Sequence, residues 1–201
     1  MKSMTMMTCV LFAAIAAFAD KPAAEKLQRF GGEGHVSLVN AGGLAKNDAL
    51  VEVQKGMEEL LLVPIKISTG TWTLATADEA AKATGAKAAV FVVKDDALPI
   101  SLVAMESRWA VVNAKDLTDK AARREVMRVA SILLGAAYSQ YDASVMRPAF
   151  SRDDLEKKVG DAFTIDVLLP ILNGMQRIGI KQFELMTKEE AVEAGYLKKT
   201  K

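Results

Sequence analysis

Few residues in this chain are equipped for demanding chemistry. Its 201 residues include one histidine, His35, and one cysteine, Cys9. Zinc sites draw mainly on imidazole and thiolate, with carboxylates as supplements. Nucleophilic catalysis needs a base beside a Ser, Thr or Cys, so a Ser-His-Asp set would have to use His35. No Gly-x-Ser-x-Gly turn accompanies it. The adjacent acids Asp95-Asp96 and Asp153-Asp154 do not form a calcium loop. The second pair follows Ser151 and suits the first turn of a helix, where carboxylates complement the helix dipole. "GGEGH" precedes its strand, which excludes a dinucleotide fingerprint. "NAGGLAKND" follows a strand and opens a helix, so the 41–48 loop could receive phosphate, although it lacks the Lys-Ser/Thr of a P-loop. The densest grouping is "REVMRVASILLGAAYSQYDASVM", Arg124 to Met146, which sets Glu125, Arg128, Tyr138 and Tyr141 around Gly135.

These residues need elements to hold them. "HVSLVN" alternates as a strand does, and "KAAVFVV" is a continuous apolar run suited to a central buried strand. "PIKIST" through "TWTL", "ISLVAMES" and "RWAVVNA" read as further extended pieces. Leu50, Val53, Met57, Leu60 and Leu61 recur at helical spacing over 48–62, and Pro64 stops that helix. Thr76 to Glu79 fits a capping box for a short helix ending at Gly85. Thr118 caps a helix over 119–137 whose stripe is Val126, Val129, Ile132, Leu133 and Ala136. Residues 159–178 predict a helix broken at Pro170 and Gly174, and Thr187 to Glu190 repeats the capping box. This order of elements suits a mixed sheet with helices packed on it.

Bulk composition narrows the partners. The chain is 51% hydrophobic and 25% charged with a net charge of +1, an ordinary globular balance. No basic face is evident, which argues against nucleic acid or an anionic membrane surface as partner. "MKSMTMMTCVLFAAIAAFAD" has an early lysine, an apolar run from Val10 to Phe18 and a small-x-small site before Asp20. That is the layout of a signal peptide over residues 1–19, cleaved after Ala19. The expectation is an exported chain, periplasmic or extracellular, with no stable membrane span after cleavage, because the apolar run is too short for one. Cleavage would remove the only cysteine and leave no disulfide. Residues 20–34 read as a linker, and 35–201 as a single domain.

From Asp116 onward the chain resembles the archaemetzincin-like branch of the metzincin peptidases. That family's signature is H-E-x-x-H-x-x-G-x-x-H followed by a cysteine and a nearby C-V-M, the Met-turn. Residues at i and i+4 share a helix face, so two imidazoles can grip one ion, and the glutamate serves as base for the bound water. With Gly135 set on the family glycine, Arg128 falls at the first histidine and Val129 at the glutamate. Ile132 and Tyr138 fall at the second and third histidines. Ser139 and Ser144 then fall on the cysteines and Met146 on the Met-turn methionine. A second register reads "REVMR" as the helix motif, retaining Glu125 as the base between Arg124 and Arg128. Ser131 then takes the glycine position and Leu134 that of the last histidine. The first register is preferred, because it explains Gly135 and the spacing to Ser-Val-Met. Neither supplies a zinc ligand.

The resemblance implies an α/β (α+β) fold: a mixed, mostly parallel twisted sheet with an antiparallel edge strand, a backing helix and an active-site-type helix. Residues 35–137 would carry the sheet and helices, and 138–201 the Met-turn-like loop and C-terminal helices. It further implies a peptidase whose ligands and catalytic glutamate are gone, without metal or other cofactor. A vestigial cleft over Glu125, Arg128, Ile132, Gly135, Tyr138, Tyr141 and Met146 would hold a peptide or protein ligand. Arg128 either pairs there with Glu125 or a ligand's anionic group, or lies on a solvated helix face. The competing readings are a zinc-independent hydrolase using Glu125 or Arg128, and a small-ligand module at the 41–48 loop.

Overall fold

Six consecutive residues with no exposed side chain, Ala88–Val93, form β4 at the centre of a five-stranded sheet. The computed structural model describes residues 27–198. The expected signal peptide, and the linker up to residue 26, lie outside them. The sheet runs β3 (Ile65–Thr69), β2 (Val36–Asn40), β4, β6 (Trp109–Asn113), β5 (Ser101–Ala104). All neighbours are parallel except β5, which lies antiparallel on β6 at the edge. The mixed, mostly parallel sheet with an antiparallel edge strand is therefore present.

β4 serves two cores at once because successive side chains point to opposite faces. Ala88, Val90 and Val92 pack with α1 (Asp48–Leu61) and α3 (Asp119–Leu133) on one face. Ala89, Phe91 and Val93 pack with Ala77 and Ala81 of α2 (Ala77–Ala83) on the other. Trp72 and Trp109 join that second core edge to face, with ring centroids 5.9 Å apart. α1 supplies Leu50, Val53, Met57 and Leu61, the expected stripe without the half-exposed Leu60. α3 starts as expected, with the Thr118 hydroxyl accepting from the Ala121 N–H. It stops earlier, at Leu133, and Gly135 turns the chain at φ +99°.

The chain divides into two compact units. Gly31–Glu184 holds the sheet, α1 to α3, and two further helices, α4 (Arg152–Lys157) and α5 (Ile165–Arg177). The other unit draws on the two ends, up to Phe30 and from Leu185. There Phe30 stacks on Tyr196, centroids 5.4 Å apart, and α6 (Lys188–Glu193) carries the full Thr187/Glu190 capping box. Residues after 184 thus group with the piece that ends at Phe30.

Several local expectations are corrected. Residues 28–33, read as linker, form β1 (Gln28–Glu33). Its partner is β7 (Lys181–Met186), a strand inside the part expected to be helical. Both were hidden because their pairing spans nearly the whole chain. "TWTL" is not a strand: Leu74–Thr76 is a 3-10 turn leading into α2. The Thr76 hydroxyl does not cap α2 but bonds Thr73. α5 spans Ile165–Arg177 unbroken through Pro170. Residues 160 and 162 instead donate backbone N–H groups to Ser144 and Ala143, which draws that segment out of the helix. Gly174 does not break α5; it is a contact glycine. A Cβ there would lie 1.6 Å from the Leu134 carbonyl oxygen. No described helix is long and apolar enough to cross a membrane.

Candidate functional site

At the start of the edge strand β5 opens a cleft of about 680 Å³. Its floor is one face of α3, which presents Glu125 and Arg128. Its upper wall is Leu98 to Ser101, leading into β5, and the opposite wall is Ala149 to Asp153 with Leu155. Tyr138 closes one side. Each wall is fixed by buried polar groups. The Asn113 amide, 2% exposed, donates to the carbonyls of Asp95 and Leu98 and accepts from the Asp95 and Lys115 N–H groups. This anchors the loop that precedes β5. The Asp95-Asp96 pair serves the same loop, with Asp95 accepting from the Ala97 N–H and Asp96 pairing with Lys115.

The opposite wall rests on α4 (Arg152–Lys157), where Ser151 caps by accepting from the Asp154 N–H. The Asp154 carboxylate pairs with Lys158 at 2.6 Å and accepts from the Phe150 N–H at 3.0 Å. These contacts, Lys158 first, lower its pKa to about 2. The second acid pair is thus a capping device, as its spacing suggested. Arg124, 5% exposed, bonds both Asp161 carboxylate oxygens at 2.9 and 2.7 Å. It also donates to the carbonyls of Leu155 and Glu156 at 2.8 Å, orphan acceptors at the end of α4. Its guanidinium holds the Asp161 pKa below the usual carboxylate range.

On the floor, Arg128 Nη1 pairs with Glu125 Oε2, and Ser101 Oγ donates to Glu125 Oε1 at 2.6 Å. Both carboxylate oxygens are therefore engaged. Glu125 and Arg128 are only 4% and 3% exposed, so the solvated-face reading of Arg128 does not hold. The guanidinium carbon stands 5.7 Å from the centroid of the Tyr138 ring, within cation–π range. Arg128 Nε is buried without a hydrogen-bond partner.

Of the residues expected to share a cleft, Glu125, Arg128 and Tyr138 do so. The others lie elsewhere. Val129 is in the core, 1% exposed, and Ile132 packs half-buried against the same core. Gly135 makes the turn after α3 against Gly174 and Arg177. Tyr141 is exposed and outside the cleft lining. Met146 is fully buried in a turn, its carbonyl accepting from Ser139 and its N–H donating to Ser144 Oγ. Sequence reasoning missed Ser101, Phe150 and Arg152 as cleft residues; only the Ser151 cap signalled that wall.

The structure draws on both helix registers. The floor comes from Glu125 and Arg128, the residues of the "REVMR" register, while Gly135 and Tyr138 keep the places of the other. The donor set fits zinc in neither. One register offers Arg128, Ile132 and Tyr138, the other Arg124, Arg128 and Leu134, without one imidazole. Among the described residues, no group of three or more His, Cys, Asp or Glu side chains could hold a metal ion. His35 is half-buried, and burial, then Lys66, push its pKa down. The 41–48 loop is tied at its start to β4 and to Asn40. Ala41 and Gly43 donate to the Val92 carbonyl, and the Asn40 side chain ties Leu44 to Asn47.

The sheet, helix floor and edge-strand cleft define an archaemetzincin-like fold. No protein-family model matches the chain, and no curated protein does. Solved structures do. A zinc-dependent peptidase from Methanocorpusculum labreanum superposes with a TM-score of 0.56 at 10% identity, over 68% of this chain and 99% of that one. Archaemetzincin from Methanopyrus kandleri superposes with a TM-score of 0.57 at 14% identity, over 72% of this chain and 97% of that one. The chain is thus related to these zinc peptidases at a structural distance, through its fold.

Proposed function

We propose that the chain is an exported, catalytically inactive archaemetzincin-like pseudopeptidase whose cleft holds an extended peptide or protein segment. The observation that carries this is the buried Glu125–Arg128 pair on the cleft floor. A guanidinium stands among the positions where that fold would gather imidazoles, and the nearest carboxylate has both oxygens committed. A general base needs a free oxygen within reach of its proton, which counts against hydrolysis through Glu125.

Peptide binding is supported by the register of the edge strand. Asn113 donates to the Ile100 carbonyl, and Leu102 lies opposite Val111. In an antiparallel ladder, bonded and non-bonded pairs alternate. The N–H and C=O groups of Ser101 and Val103 therefore turn away from β6 and are free to pair with an added strand. The leader over residues 1–19 supports export to the periplasm or the outside.

The test combines metal and peptide measurements on the purified chain. After incubation with zinc and dialysis, metal analysis should find no stoichiometric zinc, and a mixed peptide library should remain uncut. Extended peptides should shift the amide NMR signals of Ser101 and Val103. One zinc per chain with chelator-sensitive cleavage would overturn the proposal.

A further inference from the structure

We infer that the peptide segment held in this cleft carries a carboxylate, which docks on the free edge of the Arg128 guanidinium with Arg152 beside it. The inference rests on the peptide-binding reading above and adds the chemistry of the ligand. It follows from which polar groups in the cleft remain uncommitted. The buried acceptor is spent, since Glu125 takes Ser101 and Arg128, and Asp153, exposed at the rim, pairs through one oxygen with Lys157 at 2.6 Å. The donors are not. Glu125 engages only Nη1 of Arg128, and Nε, buried, has no partner. Arg152, in the same lining, meets its one carboxylate, Asp116, only at 3.7 Å.

A planar guanidinium offers two parallel N–H bonds along its Nε–Nη2 edge, the spacing that a carboxylate matches with its two oxygens. With one Nη already held by Glu125, that edge is fixed in orientation and little entropy is lost on docking. Tyr138 lies over the guanidinium and is 61% exposed, so its ring can swing aside to admit the ligand. Beside these polar groups the lining offers four apolar side chains, Ile100, Ala149, Phe150 and Leu155. An apolar side chain next to the carboxylate fits such walls. A peptide C-terminus and an internal acidic residue present the same chemistry.

The experiment uses the full chain and three sets of labelled hexapeptides: free acids ending in leucine, the same peptides as C-terminal amides, and amides with one internal glutamate. Fluorescence anisotropy reads affinity, and the side-chain Nε–H NMR signal of Arg128 reports the contact. One or both carboxylate sets should bind about tenfold or more tightly than the neutral amides, and whichever does so identifies the source. Arg128→Lys keeps the charge and the Glu125 partner but removes the fork, and should abolish most of that preference. Arg152→Gln, at a half-exposed position that leaves the fold intact, should reduce it roughly threefold. Neutral amides binding as tightly as acids would overturn this inference and leave the peptide-binding proposal standing. Failure of every set to bind would overturn both.

Discussion

Arg128 and Glu125 meet across a single turn of α3 with their side chains only 4% and 5% exposed. Such a pair is costly to break and cheap to replace. Removing one partner leaves the other charged and buried, so Arg128→Ala or Glu125→Ala should each cost about 3–5 kcal/mol of stability in urea denaturation. The double variant Glu125→Leu with Arg128→Met should lose far less than the sum of the two, because no charge is left unpaired. Additive losses would show that the pair does not act as a unit.

The edge strand makes a second expectation. Proline at Val103 removes an N–H that faces away from β6, whereas proline at Leu102 removes one that the ladder needs. Val103→Pro should keep the fold, seen by circular dichroism, yet weaken peptide binding about tenfold. Leu102→Pro should lower the melting temperature. Unchanged peptide affinity in Val103→Pro would rule out strand addition at β5.

Acid should loosen the far wall of the cleft. The Asp154 carboxyl titrates near 2 instead of 3.8 because Lys158 and the Phe150 N–H favour its charged form. Since its folded pKa is depressed, its contribution is fully present above the unfolded value and is lost as pH falls through the folded one. Asp161, lowered chiefly by Arg124, acts in the same direction. Melting temperature should therefore drop between about pH 4 and 2, and Asp154→Asn should flatten that slope while lowering stability at neutral pH. A slope equal to that of the parent would exclude Asp154 as a source.

Gly174 should tolerate no side chain. A Cβ at this position would overlap the Leu134 carbonyl oxygen, backbone that cannot swing away. Gly174→Ala should cost roughly 2–3 kcal/mol in spite of alanine's better helix propensity. The exposed Gly85 position, where a Cβ meets nothing, isolates the effect of φ alone at +64°. A stabilised Gly174→Ala would show that α5 does not pack on the end of α3.

Much of the sheet was legible because local pattern and tertiary fate agree. "KAAVFVV" is buried on both faces, the Thr118 cap opens α3, and Gly135 closes it. The floor of the cleft was harder. The two helix registers differ by four residues, little more than the about 3.6 of one turn, so they predict nearly the same face. Only the structure shows that Glu125 faces the cleft while Val129 enters the core. The wall from Ala149 to Leu155 was marked only by the Ser151 cap, because no periodicity runs through it. Its place comes from Arg124, whose partners lie far off in sequence. β1 and β7 were missed for the same reason, and the continuity of α5 because Pro170 and Gly174 are breakers by propensity but fit this helix by contact.

Arg124 has one further consequence, for motion. It sits on the helix that floors the cleft and is bonded to the carbonyls that end the facing wall. The two surfaces are therefore riveted together beneath the opening, so the wall cannot swing outward as an independent flap. Amide hydrogen exchange over 152–161 should follow that of α3 as one cooperative unit, and Arg124→Gln should release the wall into faster exchange while α3 stays protected. Access to the site is then left to side chains at its mouth, Tyr138 above all, rotating on a rigid frame.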